Sequence, residues 1–183
     1  LRSAAAPAIS RNGCVVTGSG HGPAPNETSD RMAQTIINGL AELEASVGKA
    51  LGTTDWLEIT QERIDQFAQA TGDDQWIHVD PERAKSGPFG ATIAHGYLTM
   101  ALSNYFLPRI VDVRGISMGI NYGVDKVRFP VPVKVGSRVR GRAELVSVEP
   151  IKGGMQAKIL IVIDIEGQEK PACVIESVSR YLA

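Results

Sequence analysis

Thr92-Ile-Ala-His-Gly-Tyr-Leu-Thr-Met-Ala-Leu-Ser-Asn-Tyr-Phe-Leu107 decides the fold class. Ile93, Ala94, Tyr97, Leu98, Met100, Ala101, Leu102, Tyr105 and Phe106 lie almost all round a helical wheel, and a helix that is apolar on nearly every side is enclosed by the rest of its domain. Pro108 supplies a stop. Downstream the period changes: Ala157, Ile159, Ile161, Ile163 and Ile165 alternate with Lys158, Leu160, Val162 and Asp164, a strand with β-branched residues on one face. Similar strands are predicted near 116–122, 138–148 and 172–181. Gly136-Ser137, Gly153-Gly154 and Gly167-Gln168 space them as an antiparallel meander. One enclosed helix followed by several strands predicts an α+β domain whose sheet curls round the helix.

Upstream, Ile36, Leu40, Leu43 and Val47 recur at helical spacing and predict a short amphipathic helix over 33–51. A strand over 56–59 follows. Thr60 is a candidate N-cap, Ile64, Phe67, Ala68 and Thr71 share one face, and Gly72 ends that helix. Asp80-Pro81-Glu82 repeats the start signal before Ser86-Gly87-Pro88 breaks the chain. Residues 1–30 are rich in Ala, Gly, Ser and Pro without either periodicity. The expected organisation is therefore a disordered leader or non-native extension over 1–32 and one domain over 33–183.

Composition bounds the function. A length of 183 residues, 43% hydrophobic and 21% charged, suits a single core. A net charge of −1 with no basic run lacks the electrostatic footprint of a nucleic-acid binder. No apolar stretch approaches the ~20 residues a membrane span needs. Cys14 and Cys173 form no metal-ligand spacing or disulfide framework, which fits a reducing cytoplasm.

The densest group of reactive side-chain types is Gly72-Asp-Asp-Gln-Trp-Ile-His78, with Ala94-His-Gly96 opening the enclosed helix. Hydration of an enoyl thioester needs a base for water, an acid for the alpha carbon and a donor for the enolate oxygen. Asp73 emerges beyond a helix C-terminus, where it meets the negative end of the dipole and where burial would favour its protonated form, and His78 titrates near neutrality even when unperturbed. The Gly96 N–H, at a helix start, has no intrahelical partner and no side chain to keep a thioester away. Taken singly, each residue has a bland reading: Asp after a helix-ending Gly is a common turn residue, and a lone His is more often structural.

The stretch Phe67-Ala-Gln-Ala-Thr-Gly-Asp-Asp-Gln-Trp-Ile-His-Val-Asp-Pro81, with Ile93-Ala-His-Gly96 beyond it, resembles the signature of MaoC-like dehydratases and (R)-specific enoyl-CoA hydratases. The chain looks most similar to mycobacterial single-domain 3-hydroxyacyl-thioester dehydratases, from about Ile36 to Ala183. The resemblance implies a hot-dog fold, an antiparallel sheet wrapped around a long central helix, and a homodimer with sites near the subunit interface. It implies Asp73 and His78 as catalytic residues, Gly96 as the oxyanion amide with His95 and Gln75 as positioning residues, and no metal or other cofactor. Ile93, Ala94 and Tyr97, with Asn121, Tyr122 and Gly123 on the following strand, are implied to bind the acyl thioester, and Lys126 and Arg128 to face the CoA phosphates. Gln75-Trp76 departs from the Asn-Pro of many members, so the amide there has a longer reach. Arg138, Arg140 and Arg142 share a face and read as a solvated sheet edge.

The expected activity is reversible hydration of trans-2-enoyl thioesters, of CoA or acyl carrier protein, to (R)-3-hydroxyacyl thioesters. Two alternatives stand beside it. Many hot-dog thioesterases carry an acid on the central helix, and 91–107 contains none; a non-catalytic acyl-binding subunit of a heterodimer would lack the Asp/His pair.

Overall fold

The computed structural model describes residues 34–183, so the expected leader lies outside the described residues. The chain runs through β1 (Thr35–Asn38), α1 (Gly39–Glu44), β2 (Ala50–Thr53), β3 (Leu57–Glu58), α2 (Gln61–Thr71), α3 (Trp76–Val79), α4 (Pro81–Lys85), α5 (Gly96–Ala101), α6 (Ser103–Ile110), β4 (Val111–Arg114), β5 (Met118–Arg128), β6 (Arg138–Ile151), β7 (Gly154–Ile165) and β8 (Cys173–Leu182). The main sheet has the order β2-β6-β7-β8-β5, with β3 also pairing β6, and every pairing in it is antiparallel. It is the expected α+β arrangement. The α5/α6 helical arm packs on one face of the sheet, against β2, β6, β7 and β8.

That face is built by the alternation read in the sequence. Val139, Ala143 and Leu145 of β6, Ala157 through Ile165 at every second residue of β7, and Cys173 and Ile175 of β8 are buried with Phe106 and Ile110. Each fully buried Ile or Leu contributes ~1.5–3 kcal/mol relative to exposure. Gly141 lets the helix approach, because a Cβ there would stand 2.6 Å from the Phe106 Cβ. The turn after β6 closes through Gly153 at φ +82°, a conformation suited to glycine.

Three expectations change. Residues 33–51 are not one helix: Thr35, Ile36 and Ile37 pair in parallel with β4, and Gly39 at φ +81° turns the chain into a helix of only six residues. The central helix is not a single uninterrupted run from residue 92. It begins at Gly96, loosens at Leu102 and continues through Pro108 to Ile110. Proline is tolerated because it lies in the last turn and forfeits only the bond to the Asn104 carbonyl, while Gln34 Nε2 donates to the Pro108 carbonyl. Nor is this helix enclosed: Tyr97, Ala101 and Asn104 form an exposed stripe on it.

Candidate active site

Three short elements bring the reactive residues together. Thr60 Oγ1 accepts from Arg63 N–H to start α2, and Gly72 at φ +76° ends it, so Asp73 leaves the helix on an exposed turn. Gln75 then opens α3, its carbonyl accepting from His78 N–H, and the single turn carries His78 inward. Asp80 caps α4, its carboxylate accepting from Arg83 N–H, with Pro81 behind it. Beyond these, Ile93 N–H donates to the Ile77 carbonyl at 3.0 Å, Ala94 N–H donates to Val133, and His95 and Gly96 begin α5 beside α3.

The result is a compact trio. Nitrogen or carboxylate atoms of Asp73, His78 and His95 lie within 4.8 Å of one another. The two imidazoles stack with centroids 3.8 Å apart, 6% and 2% exposed for His78 and His95. His78 Nδ1 donates to the Ile93 carbonyl at 2.7 Å, which leaves Nε2 with a free lone pair. His95 Nε2 donates to the backbone carbonyl of Asp73 at 2.9 Å, and its Nδ1 is buried without a partner. Both catalytic candidates are thus held by His95: one through its main chain, the other through its ring.

Burial pushes the His78 imidazole below its ordinary value; the Ile93 hydrogen bond opposes this, the adjacent His95 adds to it and Asp73 opposes it. His78 is therefore neutral at pH 7, as a base requires. The same trio has the side-chain types of a metal site, but near-parallel planes cannot both aim in-plane lone pairs at a centre ~2.0–2.1 Å from each nitrogen. The stacked geometry suits proton transfer better.

His78 of this trio lines a pocket of about 260 Å³. Gly96, Thr99, Phe89, Phe129 and Ala172 line it as well, together with Ile93 and Ala94. Gly96 faces Phe129 closely: a Cβ would stand 3.3 Å from two of its ring carbons, tight but relieved by a small shift of the ring.

A model of the MaoC like domain matches residues 42–164. The chain belongs to the MaoC-like family. It is 53% identical to 3-hydroxyacyl-thioester dehydratase Z of Mycobacterium tuberculosis over 148 residues, 80% of this chain and 98% of that protein. It is 44% identical to nodulation protein N of Rhizobium leguminosarum over 73% of this chain and 84% of that one. Among solved structures, the unliganded R-hydratase PhaJ1 from Pseudomonas aeruginosa matches with a TM-score of 0.65 at 25% identity, over 79% of this chain and 85% of that one. The fold is the hot-dog fold.

Other residues expected at this MaoC-like site lie elsewhere in the single chain. Gln75 is exposed and its side chain does not cap α3. Tyr97 is 69% exposed and meets Phe129 edge-on at 6.4 Å, outside the pocket lining. Asn121 Nδ2 donates to Asn104 Oδ1 at 3.3 Å, and Tyr122 and Gly123 border a different cleft, Tyr122 with the Arg180 guanidinium 3.3 Å from its ring centroid. Lys126 is paired with Glu176 at 3.1 Å, and the exposed Arg128 donates to the Val127 carbonyl. The arginine trio is spent as well: Arg138 pairs with Glu166, Arg142 with Asp164, and Arg140 stacks on Trp56. It does not lie at the sheet's edge, since β6 has β7 on one side and β2 and β3 on the other. Sequence reasoning missed Phe89, Thr99 and Phe129. Phe89 and Phe129 are isolated aromatics beside prolines and carry no periodic signal.

Proposed function

We propose that this protein is a hydro-lyase that adds water reversibly to trans-2-enoyl thioesters, with Asp73 and His78 as the acid/base pair. The observation that carries this is the buried His78, its Nδ1 committed to the Ile93 carbonyl, clustered with the Asp73 carboxylate and lining a largely apolar pocket. Water held between the two donates one hydrogen bond to the Asp73 carboxylate, which orients it and steadies the imidazolium, and gives its other proton to His78 Nε2 as its oxygen bonds to the beta carbon. The double-bond electrons move onto the thioester oxygen, where the Gly96 N–H donates a hydrogen bond to the enolate. The imidazolium then returns the proton to the alpha carbon and the carbonyl re-forms. Dehydration is the same path reversed.

The names of the relatives support the substrate class, and the R-hydratase likeness supports the (R)-3-hydroxyacyl product. We assign CoA as the carrier, with acyl carrier protein as the alternative. Nothing in this chemistry requires a metal or redox group. A hot-dog thioesterase is disfavoured because α5 and α6 contain no Asp or Glu, and a non-catalytic subunit because the trio is complete.

We place a second copy of the chain on the β5 side. β5 is a sheet edge exposing Met118, Ile120, Tyr122 and Val124, close in sequence to Phe129, and α5 adds the exposed Tyr97. An edge strand this apolar is covered in a working protein. Cys173 is a free, buried thiol, as a reducing compartment would leave it, and we read the protein as a cytoplasmic homodimer. No helix among the described residues is long and apolar enough to cross a membrane. Loss of crotonyl-CoA absorbance against release of free CoA tests the activity. Hydration without CoA release is expected, and CoA release alone would overturn it.

A further inference from the structure

Trp76 stands between the two catalytic candidates in sequence, yet its ring does not line the pocket. It leans the other way. A Cβ on Gly87 would stand 2.9 Å and 3.0 Å from two of its ring carbons, so the indole abuts the 86–90 turn at Gly87, where a side chain would collide with it. The Arg83 guanidinium covers it at 4.5 Å from the ring centroid. The segment it touches is tied to α4 at one end, Gly87 N–H donating to Ala84, and folded on itself at the other, Gly90 N–H donating to Gly87 with Gly90 at φ +73°. Between these two glycines sits Phe89, which lines the same pocket as His78.

We infer that Trp76 is a positioning residue that sets acyl-chain preference by clamping the 86–90 turn, and with it Phe89, to the helix that presents His78. Several contacts converge on this. Ile77, next to Trp76, accepts from Ile93 N–H, and Ile93 in turn accepts from His78, so α3 and the far end of the 86–93 segment are already joined. The near end is held by short-range bonds back into α4, from Ser86 N–H and Oγ to Arg83 and from Gly87 N–H to Ala84, and by the indole. Without the ring, the Gly-bounded turn can swing, and the pocket loses a fixed wall while the Asp73, His78 and Gly96 geometry stays in place. The occupant is the acyl portion of the enoyl thioester, which rests on the function proposed above.

Two measurements on the full chain separate this clamp from that function. Amide hydrogen exchange without substrate reads the turn alone: in Trp76→Ala, exchange at residues 86–90 rises at least about tenfold, and less in Trp76→Phe. Gly87→Ala, which pushes the ring off from the other side, does the same. Steady-state kinetics with crotonyl-CoA and octenoyl-CoA read the wall: the ratio of their kcat/KM values shifts about tenfold towards the longer chain in Trp76→Ala and in Phe89→Ala, carried by KM. The double variant shows no further shift, because one residue acts through the other. A folded Trp76→Ala protein with wild-type exchange in the turn and wild-type chain preference overturns the inference. Should Trp76→Ala not fold, Trp76→Leu carries the same comparison. If the wild type hydrates neither thioester, the proposed function falls, and the exchange result still decides the clamp.

Discussion

Gly96→Ala isolates what the absence of a side chain contributes at the start of α5. The new methyl carbon would meet the Phe129 Cδ2 and Cε2 at 3.3 Å and the Cζ at 3.4 Å, so it needs only a few tenths of an ångström of relief. Phe129 is 44% exposed and can turn away, so the packing cost is small. Alanine also recovers roughly 0.5–1 kcal/mol over glycine in a helix. The two effects nearly cancel, and at ~2–4 °C per kcal/mol the melting temperature should move by no more than a few degrees. Catalysis should not be spared. The methyl group stands on the pocket side, and a donor that cannot come within ~2.7–3.1 Å of the enolate oxygen is lost to the transition state, about 10²–10³ in kcat or ~2.7–4 kcal/mol. Crotonyl-CoA hydration beside a thermal melt measures both quantities on one preparation. Phe129→Ala in the same background removes the ring contact but should leave the rate low. Near-wild-type kcat in Gly96→Ala, or full recovery in the double variant, would refute the oxyanion assignment.

Asp73→Asn and His78→Gln should each lower turnover about 10²–10⁴-fold. Stability should change little for Asp73→Asn, because the group that holds the turn is the Asp73 backbone carbonyl on His95; wild-type turnover in both variants would sink the pairing. Burial holds the folded His78 below the ordinary 6.5, so between its folded value and 6.5 the unfolded chain binds more protons. Stability is therefore expected to fall as pH drops through that window, and denaturant melts of His78→Gln should lose that part of the slope. The acid limb of kcat/KM should likewise lie below 6.5, and a limb above it would contradict the buried neutral base. Ile120→Lys with Val124→Lys should convert a dimer to monomers in sedimentation, and an unchanged mass would move the interface away from β5.

Much of this was legible because it depends on local chemistry. Thr60, Gly72, Asp80 and Pro81 act within a few residues of themselves, and the alternation of β7 holds along one strand, so α2, α4 and the inner sheet face follow from spacing. The Asp73/His78/Gly96 constellation was legible through residue types in a resembling pattern. What failed was decided at a distance. Ile36, Leu40, Leu43 and Val47 keep helical spacing, but β1 finds a partner in β4 far along the chain, and pairing plus the Gly39 turn outweigh a weak local preference. An apolar stripe on a helix looks the same whether the domain itself or a second copy covers it. Hence Tyr97 and Ala101 read as enclosed and stand exposed. The pocket walls were illegible for a related reason: Phe89 and Phe129 lie on separate loops that face each other only once α3, α5 and β5 have assembled. His95 shows the same limit inside the site. Its place beside Gly96 was plain from the sequence, whereas stacking on His78 while holding the Asp73 carbonyl needs three elements at once. Reactive groups can thus be read from a sequence before the residues that orient them, because chemistry restricts the residue type and orientation restricts only the contact.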